Sequence, residues 1–157
     1  MSWRRPAPAQ RGIATLEMVL ILPLMLLFLA GMVYFGRYFT YYSAAHKAAH
    51  DAARYLSTVS RREMRMQVTG YAQVPALLLA QNIAQQETAG LHPGPAVIAV
   101  VVDCLPFSCT GLALPDKVRV MVQMRVADEL FAPFSAAFLG EEPLLLQAYV
   151  TMLYVGQ

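Results

Sequence analysis

Charge is scarce in this chain. Only 14% of its 157 residues are Asp, Glu, Lys or Arg, while 57% are hydrophobic, a balance too apolar for an ordinary soluble domain. The formal net charge is +2, and so small a surplus makes no case for nucleic acid as a partner. Histidine and cysteine are few as well, at three and two. There is no nucleophile elbow, phosphate-binding glycine loop, carboxylate pair or cluster of metal-ligand type, so no catalytic, metal or cofactor site is expected. No cysteine lies near the N-terminal apolar segment, which argues against a lipoprotein anchor. Internal repeats and low-complexity tracts are absent too.

What is present is one long apolar run, from Ile13 to Gly36. As a helix it is long enough to cross a bilayer, which takes roughly 20 residues. It is too long for a secretory signal peptide, and bulky Phe28 and Leu29 spoil a small-x-small cleavage site before Ala30 and Gly31. Arg4, Arg5 and Arg11 precede the run, so the short N-terminal arm is expected to stay in the cytoplasm and the bulk of the chain to be exported. Glu17 is the only charged residue between Arg11 and Arg37. A carboxylate in hydrocarbon costs several kcal/mol, so its presence points to a function.

Residues 1–12, with Pro6 and Pro8, are expected to be disordered, and a helix is expected to start near Ile13. Pro23 removes one backbone hydrogen bond and predicts a kink. Tyr34, Phe35, Tyr38, Phe39, Tyr41 and Tyr42 read as an aromatic belt at the outer water interface. The helix continues through residues 43–55, where Ala44, Ala45, Ala48, Ala49, Ala52 and Ala53 favour helix and let another backbone come close. Residues 57–60 read as a break, 61–69 as a basic amphipathic helix, and 76–87, opened by Pro75, as another helix.

Beyond the Gly and Pro cluster at 90–95 the period changes. Residues 96–104 form a continuous β-branched run of the kind expected in a buried strand. Residues 117–126 alternate, with Val118, Val120, Val122, Met124 and Val126 on one face. Residues 144–155 make a third strand, with Gln147 and Thr151 on one face and Ala148, Val150, Met152 and Tyr154 opposite. Between the last two, residues 127–140 read as a short helix or ordered loop displaying Phe131, Phe134 and Phe138. Cys104 and Cys109, on the exported side, read as a disulfide closing a short loop; the alternative is two reduced thiols.

Arg11-Gly12-Ile13, Glu17, Leu22-Pro23-Leu24, Gly36-Arg37 and the alanine-rich stretch to Arg54-Tyr55 together resemble the TadE-like family, pilin-like proteins of the bacterial tight-adherence (Flp, type IVc) pilus systems. The resemblance is specific over roughly the first third of the chain. It implies cleavage after Gly12 by a prepilin peptidase, leaving Ile13 as the new N-terminus. It also implies a single-pass protein of the bacterial inner membrane, with a cytoplasmic N-terminus and a periplasmic domain, possible entry into an extracellular pilus, and contact with membrane lipid. Its partners would be other pilin-like subunits and the inner-membrane pilus assembly platform. The major Flp pilins have almost no globular domain, so the domain here suits a minor pilin or pseudopilin. A freed amine at Ile13 would lie one helical turn from Glu17, where the two could pair within or between subunits. The alternative is a Glu17 that merely snorkels toward the cytoplasmic face.

Three further clusters have a bland reading beside a functional one. His46 and His50, four residues apart beside Asp51, could ligate a metal, with His92 a remote third; a solvated helix face is the simpler reading. Arg61, Arg62 and Arg65 could meet headgroups or DNA, yet Glu63 interrupts them, and a solvated surface is simpler. Phe131, Phe134 and Phe138 suit domain core better than an exposed docking surface. The expected fold is α+β: a leader over 1–12, a transmembrane and extended helix over 13–56, a helical linker over 57–95, and a β-rich domain over 96–157 with a roughly three-stranded antiparallel sheet.

Overall fold

The structure is a computed structural model that describes residues 11–66, 74–91, 97–126 and 144–156. Three helices precede three strands: α1 (Arg11–Thr58), α2 (Arg61–Met64), α3 (Pro75–Ala89), β1 (Val97–Leu105), β2 (Lys117–Val126) and β3 (Leu144–Leu153). The expected α+β class, with a long apolar first helix and a three-stranded antiparallel sheet, is what forms. The chain divides into two units, Met1–Tyr38 and Phe39–Gln157.

α1 begins at Arg11, so Arg11 and Gly12 are helical where disorder was expected, and it runs through Pro23 without a break. It ends at Thr58, two residues beyond the expected end at 56 and inside the expected break. Ser57 Oγ and Thr58 Oγ1 both donate to the Arg54 carbonyl, at 2.8 and 3.2 Å, and such side chains satisfy the last turn in place of further helix. α2 is a single turn opened by a capping box: the Ser60 hydroxyl accepts from the Glu63 amide while the Glu63 carboxylate accepts from the Ser60 amide. It is shorter than the expected helix, whose residues 67–69 lie outside the described ones. α3 starts at Pro75, whose fixed φ suits a first turn, after Val74 in the extended conformation that a following proline enforces.

The sheet has the order β1-β2-β3, antiparallel throughout. Cys104 pairs with Val118, and Val118 with Met152, which places the even-numbered residues of all three strands on one face. Val118, Val120, Val122 and Met124 are buried there with Leu146 and Ala148, as the alternation of β2 predicts. β1 differs from expectation. It is an edge strand, Cys104 is its one buried residue among those described, and Val101 is 40% exposed. A β-branched run reports preference for extended backbone, not which strand lies in the middle.

The rest of the core is helical. Ala45, Ala48, Ala49, Ala52, Ala53 and Leu56 of α1 are fully buried inside the Phe39–Gln157 unit, as are Ala80 and Ala84 of α3. The small residues of α1 therefore admit this protein's own domain. Tyr41 is 5% exposed and belongs to the same core, whereas it was expected in the aromatic belt. Tyr41, Ala45, Ala48 and Ala52 recur at helical spacing and form one stripe. Residues 127–140, with their three phenylalanines, lie outside the described residues.

Candidate assembly segment

From Thr15 to Leu29 every side chain is exposed. The apolar stretch 15–38 spans about 36 Å as a helix, enough for a hydrocarbon core of about 30 Å. Its surface is made of leucine, methionine, valine and phenylalanine that nothing in its own unit covers. Exposed apolar side chains on that scale are stable only when lipid or other apolar helices surround them. One helix here is thus long and apolar enough to serve as a single-pass membrane anchor.

Glu17 is exposed on this helix, with Leu16 and Met18 beside it and Leu20 and Ile21 one turn on, all exposed. Gly12 and Ile13 lie in the first turn of α1, so the structure brings the three sequence-predicted residues onto adjacent turns of one element. Pro23 follows less than two turns after Glu17. At Gly31 and Gly36, a Cβ would meet nothing within 4 Å, so both positions are open to a neighbour.

Cys104 and Cys109 form the expected disulfide, with Cα atoms 5.1 Å apart. It closes the start of the loop from β1 to β2, far in sequence from the apolar run. Gly111 in that loop has φ 78°, a conformation glycine adopts without strain. His46 and His50 are exposed on α1, and His50 Nδ1 lies 3.5 Å from Asp51 Oδ1. No group of three metal-ligand side chains occurs among the described residues, and His92 lies outside them. Arg61, Arg62 and Arg65 are exposed, with Arg61 Nε donating to the Gly156 carbonyl at 3.0 Å.

The model of the family described as TadE-like protein matches residues 12–54. Over those residues the chain is similar to the TadE-like family. The match opens at Gly12, takes in Glu17 and Pro23, and ends at Arg54 inside the alanine-rich stretch. It agrees with the resemblance carried by Gly12, Leu22-Pro23-Leu24 and Gly36-Arg37. The sheet and the disulfide lie beyond it. No curated protein matches the chain, and no solved structure does. The matched segment crosses the boundary between the two units: its first part is uncovered apolar helix, its last part the buried stripe of the domain.

Sequence reasoning missed two features that hold the domain. The capping box at Ser60 was legible, because Ser-x-x-Glu is a local signature. The closure at Tyr154 and Gly156 was not, since it joins residues 95 apart.

Proposed function

We propose that this protein is a minor pilin or pseudopilin that takes part in assembling a type IVc (Flp/Tad) pilus. The observation that carries this reading is Glu17, exposed as the one charged side chain between Arg11 and Arg37, in the apolar part of the segment similar to the TadE-like family. Residues 1–12 act as a cytoplasmic leader, removed by a prepilin peptidase between Gly12 and Ile13. The helix then lies in the inner membrane, with the domain in the periplasm. The arginines before the run support that orientation. Glu17 meets the new amine of Ile13, its own or a neighbour's, in surroundings of low dielectric where the attraction is strong. Other pilin-like subunits and the assembly platform are its partners, and its role is non-catalytic.

One observation favours a second reading. α1 already includes Arg11 and Gly12, so the Gly12–Ile13 bond lies in a helical turn, where a peptidase must first open it. An uncleaved protein would be a membrane-anchored periplasmic scaffold of the pilus or secretion machine.

The intact mass and N-terminal sequence of the protein from cells with an active prepilin peptidase separate the two. The first reading expects Ile13 at the N-terminus, and retention of the leader when Gly12 is replaced by Leu. A chain that keeps residues 1–12 beside a peptidase active on other pilins establishes the second.

A further inference from the structure

The two edges of the sheet are unequal. α3 lies against β1, and Gln81 Nε2 reaches the Val100 carbonyl at 3.4 Å. Among the described residues, β2 is the one strand that pairs with β3; just past the strand's end, the Val155 amide on the outer edge is taken by the Ser57 carbonyl. Its ten residues pair with β2 in unbroken register from Leu153 opposite Lys117 to Leu144 opposite Val126, with no bulge. Open edges are normally blunted by lysine, proline or a bulge. β3 reads Leu-Leu-Leu-Gln-Ala-Tyr-Val-Thr-Met-Leu and has none of these.

That sequence is complementary to itself. Antiparallel pairing of β3 with a copy of β3 about a two-fold axis at Tyr149 sets Tyr149 opposite Tyr149, Gln147 opposite Thr151, and Leu145 opposite Leu153. On the core side it sets Ala148 opposite Val150, and Leu146 opposite Met152. Apolar meets apolar and amide meets hydroxyl in every row. β3 carries no charge, so the pairing brings no like charges together. Centring the axis on a residue also matches odd with odd and even with even, so both cores stay on one side of the joined sheet. Leu145, Tyr149 and Leu153 are 54%, 65% and 66% exposed, so the groups that would meet are accessible.

We propose that the free edge of β3 binds the same edge of a second copy of this chain, joining two three-stranded sheets into one of six strands. This does not rest on the pilus reading, because it uses only the Phe39–Gln157 unit.

The test is cysteine cross-linking of the full-length protein in its own membrane, under mild oxidation. The native pair stays closed in its disulfide, leaving the introduced cysteine as the free thiol, and resistance to limited proteolysis reports that the domain is folded. Directly opposed residues have Cβ atoms about 4.5–5.5 Å apart, at the upper limit of a disulfide's span of about 3.5–4.5 Å, so a short bis-maleimide is used beside oxidation to join them. Tyr149→Cys is expected to give a dimer by itself. Leu145→Cys and Leu153→Cys are each expected to stay monomeric alone and to dimerise when co-expressed. Gln86→Cys on α3 stays monomeric. Adding Tyr149→Lys to the co-expressed pair opposes two lysines at the axis, and loss of the dimer is expected. The proposal is overturned if folded Tyr149→Cys protein stays monomeric. It is overturned equally if Leu145→Cys alone dimerises as well as the mixture, or if the partner in the adduct is a different protein.

Discussion

The Tyr154 hydroxyl donates to the Val59 carbonyl at 2.9 Å, tying the end of the last strand to the end of the long helix. Two neighbours complete the closure: the Val155 amide donates to the Ser57 carbonyl at 2.9 Å, and Arg61 reaches Gly156. Gly156 is held closely enough that a Cβ there would collide with the Tyr154 ring and the Val59 carbonyl. Tyr154→Phe is expected to lose about 1 kcal/mol, the usual net value of such a hydrogen bond. Gly156→Val is expected to lose more, roughly 1–3 kcal/mol or above, because the added atoms have no room. Urea midpoints of the full chain in detergent, read by limited proteolysis, order the two.

Alkaline pH is expected to loosen the same closure. Burial pushes the Tyr154 phenol above its ordinary value of 10.0, with Arg61 and Arg65 pulling it down less strongly. Lys47 is also raised above 10.5, first by its hydrogen bond to the Glu87 carboxylate at 2.7 Å and then by that group's charge. Both groups hold their proton more tightly folded than unfolded. Their contribution is therefore complete below pH 10 and lost as pH rises through the raised values. Urea midpoints should be flat from pH 7 to 9 and fall above 10, less steeply in Tyr154→Phe. The Lys47 share should be small and salt-sensitive, because that pair is largely exposed. A midpoint that falls equally in Tyr154→Phe would remove the tyrosine from the account.

The Cys104–Cys109 bridge closes a short loop and is expected to stabilise the domain by about 2 kcal/mol. Cys104→Ala with Cys109→Ala, compared with the oxidised parent in urea, measures this. Alkylation under non-reducing conditions should find no free thiol in protein exported to an oxidising compartment.

Ala52 is fully buried on α1. Ala52→Leu is expected to cost roughly 1–3 kcal/mol by overpacking, although leucine is nearly as good a helix former. Ala30→Leu, outside the Phe39–Gln157 unit, should leave the urea midpoint unchanged.

Glu17→Ala is expected to leave membrane insertion intact or easier, since it removes a charge from hydrocarbon. It should nevertheless weaken co-purification with partner pilins and lower the pilus count. Glu17→Gln should do nearly the same, because it keeps the shape without the charge. Wild-type co-purification and pili in both variants would make Glu17 a bystander.

Composition and period alone determined the apolar helix, its lone carboxylate, the change from helices to strands near residue 95 and the inward face of β2. These are local or periodic signals, carried by neighbours in the chain. Tertiary structure decided what periodicity is blind to. It turned Tyr41 and the alanine stripe inward onto the protein's own core, because burial depends on what distant parts of the chain place opposite them. It put the apolar run of β1 at one edge of the sheet and β3 at the other, because strand order is a long-range property that β propensity does not encode. It also set Gly156 against Tyr154 and Val59, a contact that exists only once the last strand has returned to the end of the first helix.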